Sequence, residues 1–156
     1  MNYVNTVTGP VAASELGRTL MHEHFLFGFC GFQGDATLGG FKEEEYTRDC
    51  LKAVDDARAY GINTIVDATT NECGRNVKKI SDMTGMNIIC STGYYFQAES
   101  AYAYWNFRRG FANIEEEIYE MMVTELTKGI EGTDIKAGVI KLASSFNEIT
   151  PTEEIF

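Results

Sequence analysis

Both histidines of the chain lie in one tripeptide, His22-Glu23-His24. In an extended segment, residues two apart share a face, with Cα atoms roughly 6.5–7 Å apart. Two imidazoles at that spacing can converge on one metal ion, each nitrogen at about 2.0–2.1 Å. The plainer alternative is a pair of hydrogen-bonded histidines at a strand end. Lys141 sits inside the apolar run Val139-Ile140-Lys141-Leu142. An amine facing a core loses hydration, which favours its neutral form. A neutral amine adds to carbon dioxide to give a carbamate, whose two oxygens can bridge two divalent cations. Lys141 could equally reach water from the strand end, its stem lying on apolar surface.

Other residues could support such a centre. Asp67 closes the run Ile62-Asn63-Thr64-Ile65-Val66-Asp67 and could orient a metal-binding histidine from behind. It could also cap the following loop, with Arg75 as its counter-ion. Tyr94, Tyr95 and Trp105 could line a substrate pocket or pack against their own loop, and Phe27, Phe29 and Phe32 carry the same ambiguity. Cys30, Cys50, Cys73 and Cys90 form no CxxC pair and read as small core residues in a reducing compartment.

The elements that must position these groups alternate. Tyr3 to Val7 predicts a short strand before the turn Thr8-Gly9-Pro10, and Arg18 to Phe27 a buried strand running into a glycine-rich loop. From Lys42 to Tyr60, Tyr46, Cys50, Val54 and Ala57 recur at helical spacing, and Gly61 sits where a C-terminal cap belongs. Ile62 to Asp67 predicts a strand, Arg75 to Thr84 a short helix closed by Gly85, and Met86 to Ser91 a further strand. A long aromatic loop spans Thr92 to Ala112. Asn113 then predicts an N-cap, with Glu116 completing a capping box and Ile114, Ile118, Met121, Met122 and Leu126 as the buried stripe. Ala137 to Ala143 is the fourth core strand. Thr150-Pro151-Thr152-Glu153 announces a fourth helix.

This β-α-β-α-β-α-β order implies a parallel sheet with right-handed crossovers. No GxGxxG or GxxxxGK follows any strand, which weakens a nucleotide-binding open sheet. A (β/α)8 barrel takes about 250 residues. The expectation is therefore the N-terminal half of a (β/α)8 TIM barrel: four parallel strands with intervening helices, truncated at the start of helix 4, as one partial domain over residues 1–156.

Composition narrows the partners. Thirteen Lys and Arg against 23 Asp and Glu leave a formal net charge of −10, which argues against nucleic acid. No apolar run approaches the ~20 residues needed to span a membrane, and the N-terminus lacks signal-peptide character. The expected compartment is the cytoplasm.

As a set, several segments resemble the phosphotriesterase family of the amidohydrolase superfamily. They are Gly17-Arg18-Thr19-Leu20-Met21-His22-Glu23-His24, the stretch Gly61 to Asp67 with Gly74-Arg75, then Ser91-Thr92-Gly93-Tyr94-Tyr95, and finally Gly129-Ile130 and Ile135 to Lys141. The resemblance implies a (β/α)8 barrel with a two-metal centre, usually zinc, with cobalt, manganese or iron as alternatives. His22 and His24 would hold the more buried ion, and Lys141, as a carbamate, would bridge both. Two further histidines and an aspartate of the family's site would come from later strands than this chain contains. Tyr95 matches a pocket residue of lactonase-like members. The implied chemistry is hydrolysis of a lactone, carboxylic ester or phosphotriester by a metal-activated hydroxide, with the isolated chain inactive. Two other readings compete: a non-catalytic half-barrel that binds metal weakly and self-associates through its open edges as a homodimer, and a mononuclear amidohydrolase.

Overall fold

Three β-branched runs and the Lys141 segment become neighbours in one parallel sheet. The computed structural model describes residues 2–40 and 42–156; Met1 of the N-terminal reading lies outside them. The chain opens with a hairpin, β1 (Tyr3–Thr6) paired antiparallel with β2 (Gly9–Ala12). It continues through β3 (Thr19–Glu23), α1 (Glu43–Ala59), β4 (Thr64–Asp67), α2 (Val77–Thr84), β5 (Asn87–Tyr94), α3 (Tyr102–Arg108), α4 (Ile114–Thr127) and β6 (Val139–Leu142). The sheet order is β3-β4-β5-β6, every pairing parallel. With helices between successive strands, this is the N-terminal half of a (β/α)8 barrel.

Periodicity decides what each helix buries. On α1, Cys50 and Val54 turn inward and Tyr46 and Ala57 flank them. Val54 joins Ile65 of β4, Val77 and Ile80 of α2, and Ile88 and Cys90 of β5 in the main core. A second cluster gathers Tyr94, Trp105, Ile114, Ile118 and Met122. The hairpin seals the N-terminal end of the sheet. There the Val7 amide donates to the Ile88 carbonyl at 2.8 Å, and Asn5 Nδ2 to the Ala137 carbonyl at 3.1 Å.

Several expectations need correction. Gly9–Ala12 is a strand rather than only a turn, because the reversal at Thr8 pairs it back on β1. The segment from Arg18 is not a buried strand. As a sheet edge with only β4 beside it, β3 leaves Met21, His22 and Glu23 exposed. The aromatic loop contains α3, whose Trp105 anchors it in the second cluster. Asn113 does not cap α4 with its side chain; it donates to Glu116 Oε2 at 3.4 Å instead. Thr150 to Glu153 does form a reciprocal cap, with the Thr150 amide on Glu153 Oε2 at 3.0 Å and the Glu153 amide on Thr150 Oγ1 at 3.3 Å. Residues 151–155 form a turn rather than a helix, since one hydrogen-bonded turn nucleates a helix without propagating it. Among the described residues, no helix is long and apolar enough to cross a membrane.

Candidate functional site

Parallel pairing places the C-terminal ends of all four sheet strands on one rim, the end of a barrel where loops gather chemistry. His22 ends up there from β3 and His24 from the residue after it. Their ring centroids are 5.2 Å apart with planes at 65°. The β3–β4 register shifts between Leu20 and Glu23, and the Ala68 amide donates to the Glu23 carbonyl at 2.9 Å. This irregularity brings His24 against the turn after β4, where its Nδ1 lies 2.9 Å from Thr69 Oγ1.

That turn is built by Asp67. Its Oδ1 accepts from the Thr69 amide at 3.1 Å and from the Thr69 hydroxyl at 2.6 Å, the local pattern by which Asp organises a turn two residues on. Asp67 is 1% exposed, and burial pushes its carboxyl above the ordinary range, against the Thr69 hydrogen bonds, the Phe25 amide and the charge of Arg75. His24 is held below its ordinary value by burial, then by the charges of His22 and Lys141, with Glu23 opposing.

Lys141 is half-buried on β6, opposite Gly93 of β5. Its Nζ reaches the Leu142 carbonyl at 3.5 Å, so the ammonium lies along the rim rather than sunk in the core. Gly93 is required here: its φ is +122° and a Cβ would stand 2.1 Å from the Lys141 carbonyl oxygen. Among the described residues, no group of three or more His, Cys, Asp or Glu side chains gathers as a metal site. The chain offers two imidazoles and one amine.

The aromatic candidates separate by strand alternation. Tyr95 is half-buried on the rim side, its ring 6.5 Å from Phe27, which lies 5.0 Å from His24. Its amide donates to Glu72 Oε1 at 2.7 Å. Tyr94 points the other way, stacked on Phe156 at 4.6 Å and edge-on to Trp105 at 5.6 Å. Tyr94 and Trp105 are therefore core residues of the second cluster. Arg75 does not pair with Asp67. It forms a buried bidentate bond to Glu125 of α4, with distances of 2.6 and 2.8 Å. Thr69, Glu72 and Glu125 were not singled out from sequence. The Asp-x-Thr spacing was the one signal that could have found Thr69.

The family model described as "Phosphotriesterase family" matches residues 2–156. An organophosphorus hydrolase from Deinococcus radiodurans is 50% identical, with a TM-score of 0.94 over 99% of this chain and 47% of that one. A mutant of a PTE-like lactonase from the same organism is also 50% identical, with a TM-score of 0.92 over 98% of this chain and 48% of that one. A phosphotriesterase-related protein of Nematostella vectensis is 35% identical over 96% of this chain and 50% of its own length. The chain spans about half the length of the curated relatives it matches.

Proposed function

The chain belongs to the phosphotriesterase family, and from that premise we propose that it supplies the N-terminal half of a metal-dependent hydrolase site. The substrate class is a small-molecule lactone, carboxylic ester or phosphotriester. The carrying observation is the placement of His22 and His24 on one rim, 5.2 Å apart, with the charges of His22 and Lys141 both acting on His24. Two exposed imidazoles side by side fit a divalent ion, and imidazole nitrogen suits zinc, with cobalt, manganese or iron as alternatives. When bound, a divalent pair lowers the pKa of water and polarises a carbonyl or phosphoryl oxygen.

This chain's own contribution is positional. His22 and His24 would hold one ion. The Lys141 amine, on the rim beside Gly93, would take up carbon dioxide: its nitrogen would form the N–C bond, one C=O π pair would move onto oxygen, and one N–H proton would leave to solvent. The resulting carbamate would bridge two ions. Tyr95 and Phe27 would give the substrate an apolar wall on the His24 side. Four free cysteines support a cytoplasmic location.

Zinc titration against a chromophoric chelator tests the reading. The chain should bind zinc, and His22→Ala and His24→Ala should each abolish that binding. Unaltered binding in both variants would remove the metal centre from this rim. Two ions per complete site would support the bridged arrangement, and one the mononuclear alternative. Lactone and aryl phosphotriester turnover by the isolated chain should be negligible, because two imidazoles and an amine leave the coordination incomplete.

A second reading rests on the open edges. Met21 on β3 is 68% exposed, and Ile140 and Leu142 on β6 are 53% and 42% exposed. Unpaired apolar edges promote association, so homodimerisation is proposed with the site function. Light scattering after size exclusion, on wild type and on Met21→Lys/Ile140→Lys, should show a dimer in the first and a monomer in the second.

A further inference from the structure

We propose that Thr69 is a positioning residue that fixes the tautomer of His24, directing an unprotonated Nε2 toward the rim. The relevance of this to metal binding rests on the reading of His24 as a ligand; the tautomer itself does not.

The inference follows from counting protons. Asp67 Oδ1 accepts two bonds from Thr69, one from its amide at 3.1 Å and one from its hydroxyl at 2.6 Å. Asp67 as a carboxylate has no proton to give and can only accept. The single hydroxyl proton of Thr69 is therefore committed to Asp67. Its oxygen can only accept from the remaining direction, and His24 Nδ1 lies there at 2.9 Å. The imidazole must then carry its proton on Nδ1, which leaves the Nε2 lone pair free.

The relay has little freedom to rearrange. Thr69 and Asp67 are buried at 0% and 1% exposure. The Thr69 carbonyl accepts from Ser91 Oγ of β5 at 2.8 Å, fixing the turn from behind. The Glu23 carbonyl holds the Ala68 amide at 2.9 Å, fixing the His24 side. A hydroxyl at position 69 supplies what a carboxylate or carbonyl commonly supplies behind a metal-binding histidine, one bond further away. No bond is made or broken in this role.

The test reads the metal-free protein. Long-range proton–nitrogen correlation spectra of chelator-treated chain labelled with 15N-histidine, recorded at alkaline pH where imidazole is neutral, report which nitrogen is protonated. Wild type should show His24 protonated on Nδ1. Thr69→Ser, which keeps the hydroxyl, should preserve that pattern, and Thr69→Val should shift population to the Nε2-protonated form. Wild type protonated on Nε2, or a Thr69→Val spectrum identical to wild type, overturns the proposal. The wild-type and Thr69→Ser spectra decide even if Thr69→Val fails to fold. In parallel, Thr69→Val should weaken zinc affinity by roughly 10–100-fold, as loss of a supporting hydrogen bond does at other centres. A wild type with the Nδ1 proton in place and no zinc affinity would leave the relay standing and defeat the hydrolase reading alone.

Discussion

Glu125→Leu probes the most deeply buried charge pair of the described residues. Arg75 and Glu125 have side-chain exposures of 2% and 9%, with Nη2 2.6 Å from Oε1 and Nη1 2.8 Å from Oε2. The same Nη1 donates to the Ser91 carbonyl at 2.7 Å and to Asn71 Oδ1 at 2.9 Å. One guanidinium thus joins β5, the turn after β4 and α4. Removing the carboxylate leaves that cation with two neutral acceptors and, as counter-charge, the exposed Glu131 carboxylate at 3.9 Å; breaking a buried pair in this way costs about 3–5 kcal/mol. Domains are stable by about 5–15 kcal/mol, so roughly a fifth or more of the total is at stake. At about 2–4 °C per kcal/mol for a chain of this size, circular-dichroism melting should fall by roughly 6–20 °C. The loss should persist in high salt, because a buried pair is poorly screened. Arg75→Met/Glu125→Leu removes both charges and should recover most of it. A single variant losing less than about 1 kcal/mol, or a double variant no better than the single, would refute the role assigned to the pair.

Two further outcomes follow from the same packing. Glu153 Oε1 accepts from the Gln97 amide at 2.9 Å, the Ser145 amide at 3.0 Å and the Ser145 hydroxyl at 2.6 Å, while Oε2 takes the Thr150 amide. Burial opposes its charge, but the bonds from Ser145, Thr150 and Gln97 win and hold the carboxyl at about 2, against an ordinary 4.5. A depressed carboxyl contributes stability that is complete above the unfolded value and lost as pH falls toward the folded one. Urea denaturation should therefore show the gap between wild type and Glu153→Gln shrinking from pH 4.5 to about 2; an unchanging gap would contradict the assignment. Gly93→Ala should cost at least about 1–2 kcal/mol for its left-handed backbone alone, and more for the contact with the Lys141 carbonyl. Wild-type-like melting would show that β5 and β6 can part without cost.

What was legible in the sequence was what local chemistry decides. The α1 stripe through Cys50 and Val54, the β-branched run to Asp67, and the Thr150–Glu153 cap all stand where spacing placed them. The parallel alternation followed from the order of the predicted strands and helices along the whole chain. What depended on neighbours was hidden. The exposure of β3 reflects which strands lie beside it, a property no segment carries by itself. Helix α3 has no periodic stripe because one residue, Trp105, anchors it. Glu125 reads as a solvated position on α4 until Arg75 is brought across from the turn before α2. Tyr94 and Tyr95 separate only once β5 is seen to run on to Tyr94, three residues beyond the expected end at Ser91. The histidine pair was visible as a motif, whereas the hydroxyl behind His24 required the register shift at β3.

The hairpin seal has a consequence for how this architecture tolerates change. Val7 and Asn5 secure the bottom of the sheet through Ile88 and Ala137, at the opposite end from His22, His24 and Tyr95. Cohesion at the base is thereby uncoupled from the lip. Connections above the strands, such as residues 28–40, can drift in length and sequence while the floor beneath them stays closed.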